Sequence, residues 1–149
     1  MDIVDMLRKA NFDITSAFQL KDRRVFNVVS TEWIGVAEFL KNNSDYPFQL
    51  LYCLTCVDLK TKLEMHYFFR CLNDQTEIQI KIPLLYDDPA IHTVSYLWQT
   101  AEILEREVSD LFGVFFLNHP NLNKLFLPEL FQGFPLRKNF EDPINMIKL

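Results

Sequence analysis

Glycine is scarce: three in 149 residues, too few for a loop that cradles phosphate through its backbone. No GxGxxG, GxxxxGK[ST] or GxSxG pattern is present, so a nucleotide fold or a serine hydrolase has no foothold. Positive charge is also short, with 15 Lys and Arg against 20 Asp and Glu, a net charge of −5 and a pI near 5.1. That balance excludes a general basic footprint, so no nucleic acid or anionic membrane is expected as a direct partner. The longest apolar run, with glycine counted, extends from Leu111 to Leu117, well below the ~20 residues that span a bilayer. The first residues, Met1-Asp2-Ile3-Val4-Asp5, carry acids where a secretory signal carries bases. The reading is a soluble chain whose association with a membrane, if any, runs through a partner.

Cysteine is sparse and odd in number: Cys53, Cys56 and Cys71, which suits a reducing compartment. Cys53-Leu54-Thr55-Cys56 has CxxC spacing but lies inside an apolar run, Leu50 to Val57, that reads as a strand. Side chains three apart on a strand point to opposite faces, and no second pair completes a set of four ligands. The cysteines are read as packing residues, with a redox or metal role as the alternative. The length fits one domain with a real core, and 49% hydrophobic residues is ordinary for a folded chain.

Ile3, Met6, Leu7 and Ala10 share one face of a short helix capped by Asp2. Val25 to Val29 reads as a strand. Ser30 or Thr31 then caps a helix whose apolar stripe is Trp33, Val36, Ala37 and Leu40, ending at Asn42-Asn43-Ser44. Phe48 to Val57 reads as a central strand. Leu63, Met65, Tyr67, Phe69 and Cys71 share one face of the next, with Glu64, His66 and Arg70 opposite and Phe68 between them. After a turn at Asn73-Asp74-Gln75, Glu77 to Ile82 alternates cleanly. Pro83 and Pro89 bracket a loop. Leu97, Ala101, Leu104, Val108 and Leu111 form the stripe of a long helix, with Gly113 as its C-cap. The fold class expected is α+β: a single domain, a small mostly antiparallel or mixed sheet packed by helices.

Residues 118–149 differ in kind. They hold Pro120, Pro128, Pro135 and Pro143 and show no period, yet seven of the fourteen phenylalanines lie between Phe112 and Phe140. Such a segment needs a surface to lie on, its own domain or another protein. The domain division expected is therefore 1–117 and an extended segment, 118–149, packed on a neighbouring protein.

Glu102, Glu105, Arg106, Glu107 and Asp110 cluster on the long helix, with Glu102–Arg106 and Arg106–Asp110 at i,i+4 spacing. With the apolar stripe facing the sheet, these charges are expected to point outward or sideways. They form a solvated face worth little in stability, or acids that receive basic groups from a partner at an interface, or an internal anchor. An acid/base catalytic pair would want a nucleophile or metal that the sequence does not supply. His66 reads as a surface partner of Glu64, His92 as a loop residue and His119 as structural; no metal-ligand spacing links them. Arg137-Lys138 reads as a salt contact to an acidic neighbour.

The block Glu105-Arg106-Glu107-Val108-Ser109-Asp110-Leu111-Phe112-Gly113, then His119-Pro120, Leu127-Pro128-Glu129 and Gly133-Phe134-Pro135-Leu136-Arg137-Lys138, resembles the signature of the 30-kDa subunit of respiratory complex I. In bacteria the same family is the C subunit of NADH-quinone oxidoreductase. Upstream, Asp45-Tyr46-Pro47, Val57-Asp58, Val94-Ser95 and Trp98 are similar too. Asn118 stands where the family usually has glycine, Asn123-Lys124 where a basic pair is usual, Phe131 where tryptophan is common and Asn139 where aspartate is. The chain ending soon after the motif is read as the unfused form of the protein.

The resemblance implies an α+β domain with a C-terminal extension in the peripheral arm, on the cytoplasmic face of the cell membrane or its matrix-side equivalent. It would lie beside the 49-kDa-type quinone-site protein (the D subunit) and reach the membrane arm indirectly. It implies no catalytic, cofactor or metal residue in this chain. NADH, FMN, iron–sulfur clusters and quinone would belong to partner subunits, and this chain would support assembly. Equivalent members of related complexes remain alternatives for the electron donor, and a stand-alone enzyme or metal carrier is the alternative of a different class. Phe115, Phe126, Phe131 and Phe134 are the expected anchors on the neighbour, because buried aromatics dominate interface energy.

Overall fold

The structure, a computed structural model, describes residues 3–142, apart from the side chains of residues 15 and 16. Asp2, expected to cap the first helix, and 143–149 of the expected extension, Pro143 included, lie outside the described residues. The chain runs α1 (Ile3–Lys9), β1 (Ile14–Leu20), β2 (Arg23–Val28), a 3-10 turn (Ser30–Glu32), α2 (Trp33–Asn42), β3 (Leu50–Asp58), β4 (Lys62–Arg70) and β5 (Glu77–Leu85). It then continues through β6 (Ala90–His92), α3 (Thr100–Phe112) and β7 (Phe115–Leu117). The fold is α+β.

The main sheet has the order β1-β2-β5-β4-β3. Short turns make β1–β2, β3–β4 and β4–β5 antiparallel, while β2 and β5, joined through α2 and two strands, pair in parallel. On β4 the alternation expected from the sequence is met: Leu63, Met65, Tyr67 and Phe69 are fully buried, while Glu64, His66, Phe68 and Arg70 face the other way, half-buried. α2 lays Trp33, Val36, Ala37 and Leu40 on the buried face, all without solvent exposure. Trp33 packs on Tyr67 (4.3 Å between ring centroids) and Phe69 packs on Trp98 (4.8 Å). Each such ring buried from water is worth roughly 1.5–3 kcal/mol, so this aromatic stack is the centre of gravity of the core.

The far face of the sheet carries side chains that shield one another. The Arg23 guanidinium lies over the Phe68 ring (5.0 Å), and Arg70 pairs with Glu77. His66 sits between Glu64 (2.9 Å) and Gln79 (2.9 Å). The Glu64–His66 pair is thus formed, though more enclosed than a surface pair, and burial lowers the His66 pKa despite the carboxylate.

Several elements depart from the sequence reading. β3 is an edge strand, not a central one; it is apolar because α3 packs along it. β5 continues through Pro83, because β2 pairing stops at Asn27–Lys81 and beyond that point no ladder on that flank needs an N–H. Gln79 breaks the expected alternation, buried by its bond to His66. β1 was not anticipated: Phe18 and Leu20 are about half exposed, so pairing to β2 around a turn with Lys21 at φ 53° defines this strand, not burial. The three-residue strands β6 and β7 pair in parallel and place His92 in a strand rather than a loop. Ala10 is exposed, and neither Ser30 nor Thr31 makes a side-chain cap, since a 3-10 turn starts the helix instead.

Candidate functional site

α3 carries the signature block, and its buried face is rotated from the stripe expected. Ala101, Glu105, Val108 and Phe112 face inward, while Leu104 and Leu111 pack at the margin. Glu105 therefore lies at the middle of the packed face with no solvent exposure, and Asp110 is 6% exposed. The expectation of outward charges fails for both. A buried carboxylate must be met by donors, and each acid has them. Glu105 accepts the Val94 N–H (2.8 Å) at Oε1 and the Thr93 hydroxyl at Oε2, both from the segment after β6. Burial nevertheless pushes its pKa up from 4.5 to about 7, against the lowering by those two bonds.

Asp110 works on the other side. Its Oδ2 accepts three consecutive backbone N–H groups, from Leu125 (3.2 Å), Phe126 (2.8 Å) and Leu127 (3.0 Å). Three N–H groups converging on one oxygen form an anion-holding concavity in an otherwise aperiodic segment. Arg106 does not pair along the helix. It reaches across, donating to the Asn123 and Lys124 carbonyls (3.2 and 3.3 Å). Lys124 in turn donates to the Phe131 carbonyl (2.8 Å).

His119 opens the tail. Its Nδ1 accepts the Asn121 N–H (3.1 Å), so the proton of the neutral ring sits on Nε2, which donates to the Glu102 carbonyl (2.9 Å). The same Nε2 is 3.7 Å from Glu105 Oε2, both side chains wholly buried. Before it, Asn118 has φ 63°, a left-handed conformation that glycine takes freely and asparagine tolerates best among the rest. The asparagine in place of the usual glycine thus keeps the same turn.

Farther on, Arg137 donates to the Phe112 (2.6 Å) and Tyr86 (3.1 Å) carbonyls and lies between the Tyr86 and Phe134 rings, 5.2 Å from each. The Lys138 N–H bonds Asp58 Oδ2 (2.7 Å). Within this chain Arg137 is thus bonded to a carbonyl at the end of α3 and to one just after β5. Asp58 also takes the Tyr86 hydroxyl (2.9 Å) and the Lys60 N–H (2.6 Å); burial would raise its pKa, but these donors hold it below the usual carboxylate range.

Gly113 ends α3 at φ 75°, and a Cβ there would meet the Phe134 ring at 2.5 Å. Phe134 thus closes over the helix end while remaining 40% exposed. Gly133 lets Phe140 approach, and Phe140 stacks on Phe131 (5.9 Å). The remaining residues of the block stay outward: Phe126 is 63% and Phe115 56% exposed, and Pro120, Pro128 and Glu129 are exposed. Glu107 and Pro135 are half-buried. Cys53 pairs across from Phe68 on the outer face, while Cys56 is buried on the inner one with its thiol pushed up to about 12 by burial.

Sequence reasoning missed Asp58, Tyr86 and Thr93 as anchors. Their partners lie between 12 and 80 positions away, and nothing local marks a side chain whose partner is that remote. Between the start of α2, β6 and the end of β7 lies a cleft of about 980 Å³ whose wall includes Thr93, Ser95, Tyr96, Glu102 and Pro120.

Similarity to known proteins agrees with the motif. The chain is 30% identical over 142 residues to the C subunit of NADH-quinone oxidoreductase of Chlorobium phaeobacteroides, covering 92% of this chain and 86% of that protein. It is 36% identical over 117 residues to the C/D subunit of NADH-quinone oxidoreductase of Buchnera aphidicola from Acyrthosiphon pisum, covering 72% of this chain but spanning 19% of that longer protein. In structure it matches a chain of an archaeal respiratory membrane complex, the membrane-bound sulfane sulfur reductase. The TM-score is 0.72 at 25% identity, over 93% of this chain and 83% of the other. Residues 26–143 match the family of the respiratory-chain NADH dehydrogenase 30 Kd subunit, and the chain belongs to that family.

Proposed function

We propose that this chain is a non-catalytic member of the peripheral arm of an NADH:quinone oxidoreductase, which seats the 49-kDa-type quinone-site protein and supports assembly. The observation that carries the reading is the two-sidedness of the tail. Its inner side is bonded to the chain's own domain through Asp110, Arg106, Arg137 and Asp58. Its outer side leaves Phe126 63%, Leu130 88% and Leu136 52% exposed. An ordered segment that shows large apolar groups to solvent fits a surface that a neighbour covers. Relatives in which the C and D subunits form one named protein support the 49-kDa-type protein as that neighbour. No helix among the described residues is long and apolar enough to cross a membrane, which agrees with peripheral attachment through partners.

In this reading Phe115, Phe126, Phe131 and Phe134 supply contact area, while the flavin, the iron–sulfur clusters and the quinone stay with neighbouring subunits. The chain's part in electron transfer and ion translocation is to hold geometry. The likeness to the sulfane sulfur reductase favours a second reading, the equivalent member of a related complex with another electron donor.

The test is a paired substitution, Phe126→Ser with Leu130→Ser, in the tagged chain. Both side chains are solvent-facing, so the domain is expected to stay folded. Recovery of the 49-kDa-type protein and of NADH:quinone activity in the purified assembly is expected to fall at least tenfold, the scale of losing one interface anchor. Normal assembly by this variant would overturn the proposed face. Activity with a donor other than NADH would select the second reading.

A further inference from the structure

The signature acid Glu105 is not consumed by any charge. Among the described residues no lysine or arginine forms an ion pair with it; its hydrogen-bond partners are the Val94 N–H and the Thr93 hydroxyl, and His119 Nε2 lies near, at 3.7 Å. Those three groups come from the segment that leads into α3 and from the first residue of the motif's tail. Thr93 Oγ1 also lies 2.8 Å from Ser95 Oγ, and both residues line the cleft. A buried carboxyl is thus joined to the cleft by two hydroxyls in sequence.

We infer that Glu105, Thr93, Ser95 and His119 form a proton-binding site inside the domain, filled and emptied through the cleft, whose occupancy sets how the root of the tail is held. The transfer balances atom by atom. Protonated Glu105 gives its proton from Oε2 to Thr93 Oγ1, Thr93 gives its own to Ser95 Oγ, and Ser95 gives its own to water in the cleft. Each hydroxyl gains one proton and loses one, and the carboxyl is left ionised. The new negative charge then draws the His119 Nε2–H, which bonds the Glu102 carbonyl and lies 3.7 Å from Glu105 Oε2. The His119 Nδ1 remains occupied by the Asn121 N–H, so the movement is that of the Nε2–H alone. Proton loss therefore tightens the contact between α3 and residues 119–121, and proton uptake loosens it.

The surroundings keep the event on Glu105. Tyr67 faces it from β4, with Cys56 of β3 behind. The Tyr67 pKa is raised well above its ordinary range by burial first and by the Glu105 charge second, and Cys56 is pushed up to about 12 by burial. Neither ionises near neutrality, where Glu105 does. Glu102 of the same helix and His92 of β6 also line the cleft.

The experiment is carboxyl-carbon and imidazole NMR on the full, isotopically labelled chain across pH 5 to 9, with Glu105 assigned by through-bond correlation so that no variant is required. The expected result is a Glu105 midpoint near 7, with the His119 ring and the Asn121 amide shifting at the same midpoint. Ser95→Ala is expected to leave that midpoint in place and slow the exchange, because the carboxyl keeps Thr93 and Thr93 loses the hydroxyl that relays its proton to the cleft. A Glu105 midpoint in the ordinary carboxyl range overturns the site. Titration near 7 without movement of His119 and Asn121, or with unchanged exchange in Ser95→Ala, overturns the coupling and the route respectively.

Discussion

The layer formed by α2, α3 and β4 and the tail from His119 to Asp142 are held by different physics. In the layer, Trp33, Tyr67, Phe69 and Trp98 are almost wholly removed from water and touch one another, so the free energy is spread over many weak contacts. In the tail, among the described residues, Leu122 packs against the apolar core, His119 is buried beside Glu105 and Phe134 closes over the end of α3. The rest is pinned by donors and acceptors: Asp110 to three N–H groups, Arg106 and Arg137 to carbonyls, Lys138 to Asp58. A spread interaction fails all at once, whereas a pinned one fails pin by pin. The difference shows how an aperiodic segment can be ordered without a core of its own.

The largest effect expected is on the layer. Phe69→Ala leaves a cavity between Trp33 and Trp98 and is expected to lower unfolding free energy by about 4 kcal/mol, measured by urea denaturation. A loss below that of a surface substitution would break the claim that this stack is the centre of the core.

A smaller and pH-dependent effect is expected at Glu105, where the two regions meet. Its carboxyl titrates near 7 in the fold against an ordinary 4.5, so between those values the folded chain keeps a proton that the unfolded chain has released. The associated stability is fully present below pH 4.5 and is lost as pH rises through 7. Glu105→Gln cannot ionise, so it is expected to match the native chain at pH 4 and to exceed its stability at pH 8 by up to about 3 kcal/mol. Parallel stability–pH curves for the two proteins would refute this.

The smallest global effect is expected from Asp110→Ala, which removes one pin. About 2 kcal/mol of local stability is expected to go, since three backbone donors lose their acceptor. The readout is faster tryptic cleavage at Lys124 with little change in the melting of the layer. Loss of both together would show that the tail and the layer are one cooperative unit, and the comparison would have to be redrawn.

The sequence was a good guide where periodicity governs. The α2 stripe, the inner face of β4 and the Gly113 cap all lie where the pattern places them, because each is a local consequence of 3.6- or 2-residue repeats and of one left-handed residue. It was a poor guide to β1, β6 and β7: β1 is defined by pairing while Phe18 and Leu20 stay about half exposed, and β6 and β7 are three residues each, too short for a period to show although Ile91 and Phe116 are buried. The motif itself was legible as a block, and its membership in the 30 Kd family follows from residues that a reader can find without coordinates.

Which of the motif's acids are buried, and what each one bonds, was not legible. Glu105 and Asp110 look like part of a charged helical face, since a one-dimensional pattern assigns acids to solvent. The sheet below and the tail above decided otherwise by supplying hydrogen-bond donors at the right distance, Thr93 and Val94 to one carboxylate and residues 125–127 to the other. Sequence alone determined the family, the α+β class and the place of the helices, because those depend on local repeats and on a distinctive block. Tertiary structure decided which charges are buried and how the tail lies, because a buried charge persists only where remote parts of the chain converge to meet it.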